Sequence, residues 1–183
     1  NTIEGGAVCF NSSENGLREK LFGIKNFGIW DEELIKDVGA NAKMNEFQAA
    51  MGLCNLRHID GELAKRKAVV EHYNERLSGV NGLKISAPQK DVKPNYAYYP
   101  VIFEPEEFGK SRDEIYELLK VNEIYARKYF YPLTNTFECY KGMFDMGDTP
   151  VALDLSKKVL TLPLYADLRI DQVDRICDII LGR

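Results

Sequence analysis

Apolar side chains recur at helical spacing over a long central stretch, residues 45–77, which predicts one continuous helix. The first half of this helix includes Phe47, Met51 and Cys54 and is apolar around most of its circumference. Such a pattern is typical of a buried helix. After Gly61 the pattern turns polar, so we expect the two halves of the helix to lie in different environments.

Capping residues mark the starts of further predicted helices. Asn45 and Ser111 are each followed three residues later by Gln or Glu, the spacing of a capping box. Thr149 precedes Pro150, as an N-cap precedes a proline at the first helical position. Besides the long helix, the pattern predicts helices at 17–22, 111–119, 150–157 and 170–180. The segment Asn11-Ser12-Ser13 offers caps for the first of them.

Short apolar runs predict strands between these helices. Pro100 interrupts one of the runs, which favours an edge or irregular strand there, because proline donates no hydrogen bond. The predicted strands are 83–85, 96–103, 124–127 and 159–162, together with a strand-like run that ends the stretch 2–10 and is entered through Gly5-Gly6.

The change of composition at Asp60-Gly61 predicts a boundary between two domains. A long helix that joins two environments commonly connects domains. Residues 61–183 alternate strands and helices and predict a small α+β domain, whereas residues 1–60 hold the start of the connecting helix.

Composition and charge narrow the classes of function. The 183 residues are 45% apolar and 28% charged, as in an ordinary globular chain, which excludes a disordered or collagen-like one. The net charge of −4, with no basic stripe, argues against nucleic acid as a partner. No apolar run approaches the ~18 residues of a membrane span, and no signal peptide opens the sequence. A cytoplasmic location is expected.

Cysteine and histidine usage gives no sign of a metal centre or a hydrolase. The four cysteines are too far apart in sequence for a usual zinc site. Cys54 and Cys177 lie in apolar helical patterns and are expected to be buried. The only histidines are His58 and His72, so a Ser-His-Asp or histidine-based metal site is improbable.

Three segments concentrate residues that could bind a phosphorylated ligand. Residues 2–7 place a glycine pair beside a strand, where a simple bulge is the competing interpretation. Residues 39–45 precede a helix and include Asn41 and Lys43, an arrangement that favours the binding of an anion. Asn41 could equally be a turn residue. Residues 125–133 interleave cations with aromatic rings; the alternative is a half-buried strand with solvated charges.

In this order and spacing, the three segments resemble the DegT/StrS sugar aminotransferases. These enzymes use pyridoxal phosphate (PLP) on a type I aminotransferase fold. Residues 1–7 are similar to the stretch that follows the family's Schiff-base lysine, and the tail 159–165 is also similar. The motif Gly-x-Asn-x-(Arg/Lys)-Met-x-Glu-x-Gln-Ala-Ala is matched by Gly39, Asn41, Lys43, Met44, Glu46, Gln48, Ala49 and Ala50.

The resemblance implies an α/β fold class: the C-terminal part of a type I PLP-dependent aminotransferase. Residues 1–60 would be a remnant of the large PLP-binding domain, and residues 61–183 the small C-terminal domain. The enzyme would be a homodimer with shared active sites.

The resemblance also implies roles for five side chains. Asn41 would reach the PLP phosphate of the other subunit. Lys43, Arg127, Tyr129 and Tyr131 would contact the diphosphate or sugar of a nucleotide-linked ketosugar. The amino donor would be an amino acid, with glutamate expected, in polysaccharide or antibiotic sugar synthesis.

The sequence departs from the family in two ways. Tyr129 and Thr134 stand where many members have histidine, which suggests a distinct subgroup of nucleotide-sugar enzymes. The resemblance places the Schiff-base lysine just before Asn1. The nearest lysines in the sequence, Lys20 and Lys25, fall on or after a predicted helix and do not replace it. We therefore expect this chain alone not to transaminate. The alternatives are a non-catalytic ligand-binding or dimerisation module and, more weakly, a dehydratase in which histidine replaces the lysine.

Overall fold

The computed structural model describes residues 2–11, 16–87 and 89–183, and the chain divides into two compact units. The units are Asn1–Ile59 and Asp60–Arg183. The division falls beside the change of composition at Asp60-Gly61.

The first unit consists of a helix, a hairpin, a loop and a second helix. Its elements are α1 (Leu17–Lys25), β1 (Ile29–Asp31), β2 (Leu34–Ile35) and α2 (Glu46–Leu56). β1 and β2 pair antiparallel, and the chain then folds back on the end of α1, where the amide of Ala40 donates to the carbonyl of Ile24 at 2.9 Å. At Gly39 a Cβ would lie 2.5 Å from that same carbonyl oxygen, so the close approach requires glycine.

The second unit is a three-stranded antiparallel sheet covered by helices. Its strands are β3 (Leu83–Ile85), β4 (Tyr99–Phe103) and β5 (Val159–Leu162), in the order β3-β4-β5. Its helices are α3 (Ile59–Leu77), α4 (Pro105–Phe108), α5 (Arg112–Val121), α6 (Pro150–Lys158) and α7 (Ile170–Leu181). Short 3₁₀ turns occur at Thr134–Thr136, Glu138–Tyr140 and Met146–Asp148.

One face of this sheet forms the hydrophobic core. Tyr99, Val101 and Phe103 alternate toward that face and pack with buried residues of α3, α5 and α7. The opposite face, called here the outer face, carries Pro100 and Ile102 and lies beside α6. Burial raises the pKa of the Cys177 thiol in the core to about 12, as expected for a buried cysteine.

The prediction that Pro100 marks an edge strand is wrong, because β4 is the central strand. Pro100 lies opposite Thr161, whose amide and carbonyl both bond to Arg127 on the far side. Pro100 and Thr161 therefore form a pair without mutual hydrogen bonds. β3 pairs only with residues 101–103, so the nitrogen of Pro100 faces a side without a neighbouring strand.

The predicted single helix over 45–77 is also wrong, because the chain turns between α2 and α3. The amide of Arg57 bonds to the carbonyl of Cys54, and that of His58 to Asn55, which are the short-range bonds of a turn. α2 has no buried residue, so Cys54 is exposed, contrary to prediction.

Two predicted strands are reduced or absent. Residues 2–11 contain no strand, and residues 124–127 contribute only an isolated bridge, between Arg127 and Thr161. The cap predicted at Asn11-Ser12-Ser13 falls partly outside the described residues; the observed α1 begins at Leu17 after Gly16. Within the described part of the chain, no helix is long and apolar enough to cross a membrane.

Candidate functional site

The loop before α2 holds Lys43 in a defined position. Backbone pairing between Asn26 and Asn41 fixes the loop against the end of α1. The Nζ of Lys43 donates to the Oδ1 of Asn26 at 3.1 Å and lies 4.4 Å from the centre of the Phe27 ring. A hydrogen bond and a cation–π contact therefore hold this ammonium beside Asn41.

The start of α2 is closed by the predicted capping box. The Oδ1 of Asn45 accepts from the amide of Gln48 at 2.9 Å, and the Oε1 of Gln48 accepts from the amide of Asn45 at 3.0 Å. The cap already uses the Gln48 amide, so this amide is not available to an anion. Asn41 is exposed.

In the second unit, Arg127 is fixed through its backbone. Its amide donates to the carbonyl of Thr161 at 3.0 Å, and the amide of Thr161 donates back at 2.8 Å. Directly opposed residues of an antiparallel pair point to the same face, so Arg127, Thr161 and Pro100 share the outer face. The Arg127 residue is exposed.

Tyr129 belongs to a row of aromatic rings. Its ring centre lies 4.3 Å from that of Phe130 in a stacked arrangement and 5.1 Å from that of Tyr98. The hydroxyls of Tyr98 and Tyr129 are 3.4 Å apart. This contact raises the pKa of Tyr98, while the nearby Arg127 guanidinium acts in the opposite direction.

Tyr131 lies over a buried cation. The guanidinium of Arg112 is 5.1 Å from the centre of the Tyr131 ring, and its Nη1 donates to the carbonyl of Val159 at 3.0 Å. Its Nε lies 2.8 Å from the Oδ1 of Asp113, but it forms no aligned hydrogen bond. Lys128 pairs with the same carboxylate, and the two cations, Lys128 first, lower the pKa of Asp113.

The five predicted site residues thus fall into two groups. Asn41 and Lys43 lie together in the first unit, and Arg127, Tyr129 and Tyr131 follow one segment of the second. Sequence reasoning missed three supporting residues, namely Asn26, Tyr98 and Arg112. Tyr98 and Tyr99 both lie in the predicted strand 96–103, but only Tyr99 is buried. No sequence signal pointed to Asn26 or Arg112, since their roles depend on tertiary contacts.

Among the described residues, no group of three or more His, Cys, Asp or Glu side chains could hold a metal ion. His72 instead joins two helices, with its Nε2 at 2.8 Å from the Oδ1 of Asp174 on α7. His58 is exposed at the turn before α3. Neither histidine lies in a catalytic arrangement with the described residues.

Comparison with known proteins shows which family the chain is related to. The model of the DegT/DnrJ/EryC1/StrS aminotransferase family matches residues 1–181. The dTDP-4-amino-4,6-dideoxy-D-glucose transaminase of Escherichia coli is 40% identical over 183 residues, which are 99% of this chain and 48% of that protein. The chain thus spans about half the length of the curated relatives it matches.

Solved structures show the same fold. DesV of S. venezuelae, solved with a ketimine intermediate, is 25% identical with a TM-score of 0.80, covering 92% of this chain and 44% of DesV. DesI, solved in the presence of its TDP-sugar product, is 27% identical with a TM-score of 0.80, covering 89% and 41%. These matches confirm the predicted fold class, the C-terminal part of a type I aminotransferase fold. The chain belongs to the DegT/DnrJ/EryC1/StrS aminotransferase family.

Proposed function

We propose that this chain is the C-terminal portion of a PLP-dependent aminotransferase that acts on nucleotide-linked ketosugars. The amino group would come from an amino acid, with glutamate as the expected donor. The E. coli relative, named for a dTDP-linked amino sugar, supports this substrate class. The observation that carries the proposal is that one loop holds both the exposed Asn41 and the ammonium of Lys43, which its contact with Asn26 fixes in place.

The side chains of this loop fit phosphate groups: Asn41 would bind the phosphate of PLP, and Lys43 the diphosphate of the nucleotide sugar. Asn41 is exposed, and within the described ranges its side-chain amide has no hydrogen-bond partner. The ammonium of Lys43 has three donors, of which Asn26 accepts one. Phosphate oxygens form strong hydrogen bonds with such donors, because charge-assisted hydrogen bonds are stronger than neutral ones. When bound, PLP supplies the electron sink for amino transfer.

The residues of this chain would bind and orient the reactants. In a homodimer, Asn41 would donate to the PLP phosphate of the opposite active site. Lys43 would neutralise the diphosphate of the nucleotide sugar, and Arg127 would add a second cation. Tyr129 and Tyr131 would present hydroxyls and ring faces to the sugar.

The homodimer proposal is supported by the apolar surface of α2. Phe47, Leu53 and Leu56 are 82%, 62% and 67% exposed. Large apolar side chains that are exposed on more than one side of a helix indicate that another segment or chain covers the helix. We further propose that residues 1–60 belong to the large PLP-binding domain and that the enzyme acts in the cytoplasm.

The proposal is tested on the product of the complete reading frame that contains this sequence. Incubated with dTDP-4-amino-4,6-dideoxy-D-glucose and 2-oxoglutarate, it should form glutamate. Asn41→Ala should weaken PLP retention, measured by dialysis and absorbance, because one phosphate donor is lost. The matched control is Asn11→Ala, which changes another exposed asparagine of the same unit.

Two results would count against the proposal. Unchanged cofactor affinity in Asn41→Ala would remove Asn41 from the site. Absence of amino transfer with dTDP-, UDP- and GDP-linked amino sugars would favour the non-catalytic binding module instead.

A further inference from the structure

Asn26 contacts both of the residues that the proposed function places on phosphate groups. Its backbone forms a bridge with Asn41, and its side-chain Oδ1 accepts a hydrogen bond from the Nζ of Lys43 at 3.1 Å. Asn26 is the C-cap of α1 and is half-buried, whereas Asn41 and Lys43 are exposed. One residue at the end of a helix therefore holds the backbone of Asn41 and the ammonium of Lys43.

The backbone around Asn26 is fixed independently of its side chain. The amide of Ala42 donates to the carbonyl of Lys25 at 2.9 Å, and the amide of Phe27 donates to the carbonyl of Ala40 at 3.2 Å. These bonds hold the end of α1 alongside the loop before α2. A substitution of Asn26 thus changes the contact with Lys43 and leaves the surrounding backbone bonds in place.

Phe27 provides the second contact of the ammonium. The Nζ of Lys43 lies 4.4 Å from the centre of the Phe27 ring. Phe27 has a φ of +59°, in the left-handed region that a bulky residue rarely adopts and that glycine adopts freely. Because glycine would be less strained here, the presence of a ring indicates a role for the ring, and its contact with Lys43 supplies one.

Both contacts leave the positive charge of Lys43 uncompensated. An amide oxygen and an aromatic ring attract an ammonium but carry no net charge. In the part of the chain that the structure describes, Lys43 forms no ion pair with a carboxylate, whereas Lys65 and Lys128 each form one. The charge of Lys43 and two of its three donors therefore stay available to an anion.

We propose that Asn26 is a positioning residue that orients the Lys43 ammonium toward a diphosphate, and that a neutral acceptor is required at this position. An aspartate there would form an ion pair with Lys43 and would place a negative charge beside the diphosphate. The inference rests on the proposed function and deepens it, because it names a residue that sets the affinity for the nucleotide substrate without touching that substrate.

Steady-state kinetics of the product of the complete reading frame, with dTDP-4-amino-4,6-dideoxy-D-glucose and 2-oxoglutarate, test the role of Asn26. Asn26→Asp should raise the KM for the nucleotide sugar about tenfold with kcat unchanged, because the charge-assisted bond from Lys43 to the diphosphate is lost. Since the isosteric Asp side chain still accepts from Lys43, a merely structural role predicts an unchanged KM. The control is Asn11→Asp, which adds the same charge at another exposed asparagine of the first unit.

A coupling measurement shows whether Asn26 acts through Lys43. Asn26→Ala should raise the KM about threefold in the unmodified enzyme and should have no effect in a Lys43→Gln background, because the contact is already absent there. Phe27→Leu should raise the KM about twofold, whereas Phe27→Tyr, which keeps the ring, should leave it unchanged.

Calorimetric titration with dTDP separates this inference from the proposed function. The unmodified enzyme should bind dTDP about tenfold more tightly than Asn26→Asp. Equal affinity, no binding of dTDP, or an equal effect of Asn26→Ala with and without Lys43 would overturn the inference. Equal affinity with amino transfer intact would remove only the positioning role of Asn26. Absence of amino transfer in the unmodified enzyme would contradict the proposed function itself, and the titration would still decide the role of Asn26.

Discussion

At the scale of single residues, contacts between distant parts of the chain decide which polar side chains are available to a ligand. Lys43 is positioned by Asn26, 17 residues earlier in the chain. Arg112 is buried, and its guanidinium already contacts Val159 and Tyr131, whereas Arg127 is exposed. The sequence singled out Arg127 and Lys128 together, yet Lys128 pairs with Asp113. The residue types in the sequence therefore indicate which chemistry a segment could support, but not which of its cationic side chains remains free to bind a ligand.

Asp174 provides a pH-dependent test at this scale. It accepts from His72 and pairs with Arg76, both on α3, and these contacts, His72 first, lower its pKa below the ordinary value. A lowered pKa in the folded state stabilises the fold at neutral pH, and this contribution is lost as the pH falls through that value. Asp174→Asn should therefore lower the thermal midpoint at pH 7, and the difference should shrink below about pH 4.

Thermal melts followed by circular dichroism between pH 3 and pH 7 measure this difference. Asp148→Asn is the control, since Asp148 is exposed and, among the described residues, has no ion-pair partner. A difference that stays constant across the range would show that the carboxylate charge of Asp174 does not stabilise the contact between α3 and α7.

At the scale of elements, the spacing of apolar residues and the capping residues predicted most helices. Contacts between distant parts of the chain decided the elements that were predicted wrongly. The Ser111 capping box and the closing helix α7 are confirmed because both patterns are local. The turn between α2 and α3 was not predicted, because apolar residues continue at helical spacing on both sides of it. The run at 124–127 was predicted to be a short strand, but only Arg127 meets a partner there.

The packing of α7 gives a stability prediction at this scale. Ile180 is 1% exposed in the core, whereas Ile170 at the start of the same helix is 42% exposed. Ile180→Ala should lower the free energy of unfolding by about 2–5 kcal/mol, through lost burial and the cavity left behind. Ile170→Ala, the matched control, should change it by less than about 1 kcal/mol.

Urea unfolding of the second unit, followed by tyrosine absorbance, measures both variants. The fluorescence of Trp30, the single tryptophan, reports on the first unit and serves as an internal reference. Equal losses in the two variants would contradict the assignment of Ile180 to the core.

At the scale of the whole molecule, the chain holds two compact units and matches its family over residues 1–181. The resemblance predicted the family because the motif at residues 39–50 is specific, and the overall fold class followed from it. The supporting contacts of Lys43 and Tyr131 could not be predicted, since they depend on the packing of individual side chains.

The central claim is that this chain supplies binding residues to an aminotransferase whose Schiff-base lysine lies outside residues 1–183. Reduction with borohydride in the presence of PLP, followed by intact mass and peptide mapping, tests it most directly. The product of the complete reading frame should carry one label, on a lysine just ahead of Asn1, and the 183-residue chain should carry no stoichiometric label at any single lysine. A stoichiometric label on one lysine within the chain, such as Lys20 or Lys25, would contradict the account.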